Sequence, residues 1–152
     1  MIFTNPARFV AVILRVQGRY VLQLRDDHPA IADPGVWALF GGGVEPGEEF
    51  IAAAHREIQE ELDLHLTNCR WTESLDYTDK TSGTTSECAV FEADVTEHWN
   101  RHRLREGQAA DLFEYDQLAA LSMASFARLI LTRHHAKQLN FLPRITSGPQ
   151  SH

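Results

Sequence analysis

Three consecutive glycines, Gly41 to Gly43, stand between a short apolar run and the stretch of this chain that reads most clearly as helix. Upstream, Val36 to Phe40 has the composition of a strand. Downstream of Pro46-Gly47, the segment Glu48 to Leu62 holds no glycine or proline and includes a run of alanines. Glu48 and Glu49 fall at the positive N-terminal end of that helix, and Ile51, Ala54, Ile58 and Leu62 recur at three- and four-residue steps as its buried stripe. A strand that passes through a glycine loop into an amphipathic helix limits the chain to folds in which a sheet packs against helices.

The flanks agree. Phe9 to Val16 is rich in β-branched and large apolar residues, Gln17-Gly18 supplies a turn, and Tyr20 to Arg25 alternates, which together make a hairpin. Asp26 to Gly35, with Pro29 and Pro34, reads as a loop. Cys69 to Thr78 and Thr85 to Val95 read as two strands around a turn at Asp79 to Gly83. His98 to Gln108 is a polar loop, Asp111 to Tyr115 a further strand, and Asp116 to Leu121 and Met123 to Gln138 are helical. Ser122, or Ser125 if the helix starts later, is the N-cap of the last helix. Pro143 to His152 is poor in apolar residues and reads as a flexible tail. The sum is an α+β protein with one domain over residues 1–142, a mixed sheet sandwiched between helices.

With 43% apolar and 23% charged residues in 152, the chain has the profile of one folded domain. No apolar run approaches the roughly 18–20 residues a membrane span needs, and Arg8 and Arg15 interrupt the apolar start, so no membrane association is expected and the expected compartment is the cytoplasm. Cys69 and Cys88 lack zinc spacing and read as free thiols in adjacent strands. The eight histidines are scattered and read as surface residues, although helical spacing also allows His134 to fall with Phe126, Leu129 and Ile130 on one side of the last helix. A net charge of −7 argues against a nucleic-acid polymer as partner, because such a surface needs a basic stripe.

The acids concentrate instead between Glu45 and Asp63. On the helix, Glu57 is followed three and four residues later by Glu60 and Glu61, within about 100° of arc on one face beside the apolar stripe. Exposed, such like charges cost only about 0.2–0.5 kcal/mol per pair. Partly buried, two charges roughly 6 Å apart repel by about 3 kcal/mol at an effective dielectric constant near 20. A hard divalent cation with oxygen ligands reverses that sign, and near phosphates it is usually Mg²⁺.

The whole segment reads Gly42, five residues, Glu48, seven residues, then Arg56-Glu57-Ile58-Gln59-Glu60-Glu61-Leu62-Asp63-Leu64. It resembles the Nudix box, whose pattern ends Arg-Glu-apolar-any-Glu-Glu-any-Gly-apolar. One fixed position departs: Asp63 stands where the family has the glycine that ends the helix. Aspartate tolerates a left-handed backbone better than most residues, so the turn is expected to survive. Phe40, before Gly41, replaces a common proline. Further on, Arg105-Glu106-Gly107-Gln108 resembles the late loop that in many such enzymes brings in another glutamate.

The resemblance implies a Nudix fold (α/β/α) and a MutT-like hydrolase. Such an enzyme cleaves the diphosphate linkage of a nucleoside diphosphate derivative, a nucleoside triphosphate or nucleotide sugar, by attack of water at phosphorus. It implies that Glu57, Glu60, Glu61 and the Gly42 carbonyl hold Mg²⁺, with Mn²⁺ as the substitute, and that Glu106 adds a ligand. Arg56 is expected to pair with a carboxylate such as Glu48. The general base is then Glu57, Glu60 or Glu106. Arg25 and Trp37, at the ends of their strands, are candidates for binding base or leaving group, with core packing as the competing role for Trp37. The partner is a small-molecule nucleotide, and family habit is the sole ground for expecting a homodimer. The competing class is a Nudix-fold domain that binds nucleotide without hydrolysis, which would be expected to lose box acids that this chain keeps.

Overall fold

In the computed structural model residues 8–31 and 33–141 are described; the tail expected at 143–152 lies outside them. Strands β1 (Arg8–Val16) and β2 (Arg19–Leu24) form the expected hairpin, pairing Leu14 with Val21 and Val16 with Arg19. Beyond that short ladder the two strands part. The fork is filled by β3 (Trp37–Ala38), which pairs with β2, and β4 (Phe40–Gly43), which pairs with β1. The single strand expected over Val36 to Phe40 is therefore two, and Leu39 is the step between partners.

On its other edge β1 runs parallel to β6 (Thr85–Asp94), which pairs antiparallel with β5 (Arg70–Thr78). Strand β7 (Ala109–Phe113) closes the far edge of β2, two residues earlier than the sequence suggests, because Tyr115 already begins a 3₁₀ turn running to Ala120. The mixed seven-stranded sheet is covered on both faces. Val10, Val12 and Leu14 pack with Ala54, Ile58 and Leu62 of helix α1 (Phe50–Leu62), while Ala11 and Ile13 pack with Ile130 and Leu131 of helix α2 (Ser125–Phe141). A central strand buried on both sides has no polar face, which is why β1 reads as a continuous apolar run rather than an alternating one.

Three local readings are corrected. Helix α1 starts at Phe50, not Glu48, because the Glu48 carboxylate is drawn into the preceding turn by Arg56 and by the Glu45 N–H. Ser122 does not cap α2. Its carbonyl accepts the Trp37 N–H in a short bridge, and the Ala124 carbonyl receives the Arg128 N–H where the helix starts. His134 is buried rather than superficial, with Nδ1 bonded to the Tyr20 hydroxyl at 2.8 Å and Nε2 to the Glu92 carboxylate. Among the described residues no helix is long and apolar enough to cross a membrane.

Candidate active site

The site forms where β4 meets α1. Gly41 pairs with Ala11 at φ +145°, and a Cβ there would lie 2.0 Å from the Val10 carbonyl oxygen, so only glycine permits the ladder. At Gly42 the obstacle is different: a Cβ would meet Glu57 Oε1 at 2.4 Å. The space a side chain would take at 42 is filled by the carboxylate of α1.

Arg56 organises the acids. Its Nε donates to Glu48 Oε2 at 2.8 Å, and one terminal nitrogen donates to Glu48 Oε1 at 2.9 Å and to the Gly43 carbonyl at 2.8 Å. The other terminal nitrogen donates to Glu57 Oε1 at 2.9 Å and, at 3.3 Å, to Glu60 Oε2. One guanidinium thus ties β4, the loop and the helix together, as the expectation for Glu48 required. The bond to Arg56 holds Glu48 down at about 2, and the same contacts push the Arg56 pKa up.

Glu57 and Glu61 lie one turn apart and both are buried, whereas Glu60 is exposed. Burial raises the pKa of Glu57. It pushes Glu61 up to about 9, aided by the facing carboxylates of Glu57 and Glu106 and opposed by a hydrogen bond from Gly41. Glu61 Oε2 is buried and receives no donor. Crowded carboxylate oxygens, one of them unsatisfied, are the donor type a hard divalent cation takes, so these residues fit one. Among the described residues no three acidic, histidine or cysteine side chains yet converge on one point. Glu60 is turned onto Arg56 instead, at 3.3 Å.

The late loop reaches this corner from both sides. The N–H groups of Arg103 and Arg105 donate to the carbonyls of Leu62 and Glu61, each at 2.9 Å. Gln108 N–H donates to the Leu24 carbonyl at 2.8 Å, and its side chain to the Arg25 carbonyl at 2.8 Å. Gln23, buried in β2, donates from Nε2 to the Glu106 carbonyl at 3.0 Å. Glu106 is brought within electrostatic reach of Glu61, with its own side chain exposed. Gln23 is missing from the expected site because an alternating strand puts it on the outward side; β2 is instead buried from Tyr20 to Gln23, so this amide has to find a partner.

Beside Gly41 and Gly42 opens a cavity of about 260 Å³ whose walls include Phe9, Tyr77 and Phe126, with Arg25, Asp33 and Asp79 as charged members. Phe126 meets Phe9 and Tyr77 edge-on, with ring centres 5.1 and 4.9 Å away. Arg25 therefore lies on this cavity. Trp37 does not: it packs edge-on against Phe113 at 4.9 Å in the cluster between sheet and α2.

The family model for the NUDIX domain matches residues 4–134. The chain belongs to the NUDIX family. Hydrolases of this family act on phosphoric anhydride bonds of nucleotide substrates and generally need a divalent metal. The NUDIX chain is 46% identical over 76 residues to a protein of Escherichia coli O1:K1 / APEC named nucleoside triphosphatase NudI, a match over 47% of this chain and 52% of that protein. It thus spans about half the length of the curated relatives it matches. Among solved structures it resembles a MutT NUDIX hydrolase from Burkholderia pseudomallei, with a TM-score of 0.72 and 24% identity over 85% of this chain and 98% of the other. The NUDIX domain of Shewanella oneidensis NrtR, solved with ADP ribose, aligns with the same TM-score of 0.72 at 12% identity, covering 90% of each chain. These likenesses show the same fold over 85–90% of the chain.

Proposed function

We propose that this NUDIX domain is a Mg²⁺-dependent hydrolase of a nucleoside diphosphate derivative, with a nucleoside triphosphate as the leading substrate and a nucleotide sugar as the other. The observation that carries the reading is the buried Glu57–Glu61 pair against Gly42, with an oxygen that receives no donor. Glu57, Glu60, Glu61 and the Gly42 carbonyl would hold the ion, with Glu106 at its edge. Bound there, the ion supplies a lowered water pKa and offsets charge on phosphoryl oxygens. Arg56 keeps Glu48, Glu57 and Glu60 in register, and Glu57, Glu60 or Glu106 takes the proton of the attacking water. The relative named as a nucleoside triphosphatase supports the triphosphate, and the aromatic cavity beside Gly42, with Arg25 on its wall, is the place for base or leaving group.

The test is release of phosphate or pyrophosphate from deoxynucleoside triphosphates, oxidised nucleotides, dinucleoside polyphosphates, ADP-ribose and sugar nucleotides, with Mg²⁺, with Mn²⁺ and with EDTA. Turnover should appear with metal and vanish with EDTA. Glu60→Gln should lower kcat by about 10²–10⁴-fold with an unchanged circular dichroism spectrum. Near-normal turnover by that variant overturns the assignment.

A further inference from the structure

Asp63 occupies the one fixed position at which this chain departs from the box, and it does more there than end a helix. Its backbone is left-handed, φ 55° and ψ 40°, with its N–H donating to the Gln59 carbonyl at 3.0 Å. Glycine would make that turn with less strain. Glycine would lack the carboxylate, and both of its oxygens are engaged. Oδ1 accepts the Gln59 side-chain amide at 2.8 Å, and Oδ2 pairs with the Arg105 guanidinium at 3.1 Å. Arg105 immediately precedes Glu106, and its own N–H is bonded to the Glu61 carbonyl.

We infer that Asp63 is a positioning residue, docking the loop that carries Glu106 onto the C-terminal end of α1 through its ion pair with Arg105. The inference rests on the proposed hydrolysis, in which Glu106 is a working part of the site. The loop's other attachments, from Gln23 and Gln108, anchor it to β2. Among the described residues the Asp63–Arg105 pair is the ion pair that, beside the two backbone bonds and the packing of Leu104, fixes it to the helix bearing Glu57, Glu60 and Glu61. Both partners are partly exposed, at 30% and 51%, so the clamp is a modest one.

Asp63→Gly restores the family residue and tests this directly. A role confined to ending the helix predicts equal or higher thermal stability, wild-type kcat and wild-type amide exchange. The clamp predicts equal or higher thermal stability together with a kcat lowered about two- to fivefold at unchanged KM. It also predicts faster hydrogen exchange at the Arg105 amide, which is bonded to the Glu61 carbonyl, while Gln108, held by the Leu24 carbonyl, keeps its protection. Arg105→Gln should match Asp63→Gly, the double variant should be no worse than either single one, and Arg105→Lys should recover part of the loss. Wild-type kcat and exchange in Asp63→Gly, or losses that multiply in the double variant, would overturn the inference. If the hydrolysis reading fails through an active Glu60→Gln, the exchange pattern still reports whether the clamp exists.

Discussion

Arg56 grips Glu48 with two parallel hydrogen bonds, Nε to Oε2 at 2.8 Å and a terminal nitrogen to Oε1 at 2.9 Å. A lysine carries the charge but not the fork, so it cannot span Glu48, Glu57 and the Gly43 carbonyl together. Arg56→Lys should therefore fold normally and lose about ten- to a hundredfold in kcat, because misplacement of the surrounding carboxylates by about 1 Å is enough. Steady-state kinetics beside a melting curve checks it; unchanged kcat would remove Arg56 from the machinery.

Gly41 and Gly42 are neighbours with opposite vulnerabilities. Alanine at 41 meets the Val10 carbonyl oxygen at 2.0 Å, and backbone in a paired strand cannot step aside. Gly41→Ala should express poorly or melt far below the parent. At 42 the nearest atoms an alanine meets belong to the Glu57 carboxylate, which sits at the end of a rotatable side chain. Gly42→Ala should stay folded while metal-dependent turnover falls about tenfold or more.

Glu61 sets a pH dependence for the metal-free protein. Its folded pKa, about 9, lies above the ordinary 4.5, so the folded state binds the extra proton. The stability it contributes is full below the unfolded value and drains away as pH rises through the folded one. In EDTA the melting temperature should fall between about pH 5 and about pH 9, and Mg²⁺ should raise it most at the alkaline end, where the carboxylate is charged. Glu61→Gln should flatten that slope, and a melting series in both buffers decides.

The Tyr20–His134–Glu92 chain lies away from the acidic cluster and pins α2 to the sheet. The hydrogen bond from His134 holds Glu92 down at about 2, with Arg70 assisting. That contribution is full above the ordinary carboxylate range and is lost as pH falls toward 2. His134→Ala should cost about 2–3 kcal/mol in urea denaturation and weaken the acid dependence, with kcat of the folded fraction unchanged.

What could be read in advance follows from how local the cause is. Helix α1, the hairpin and the Asp63 turn were legible because periodicity, a Gly-containing turn and one residue's backbone tolerance act within a few positions. The Arg56–Glu48 contact was legible from the box. The split of Val36 to Phe40 into two strands was not, since it depends on where β1 and β2 part, which no local pattern records. His134 looked superficial because its partners, Tyr20 and Glu92, lie 114 and 42 residues away. For Trp37 core packing stood against a pocket role in sequence, and its edge-on contact with Phe113 is the packing one, whereas Arg25 lies on the cavity wall.

The parallel ladder between β1 and β6 also has a consequence for synthesis. Arg8 through Arg15 pair with Glu87 through Asp94, so one whole edge of the most apolar strand waits for residues made much later. Until they emerge from the ribosome, the hairpin, β4 and α1 can gather around β1 while its other edge stays unpaired. An apolar strand with open hydrogen-bonding groups is a template for association with other chains. A nascent chain stalled before Thr85 should depend on chaperones and aggregate when released without them, and the glycine strand beneath the acidic cluster would be trapped in that aggregate.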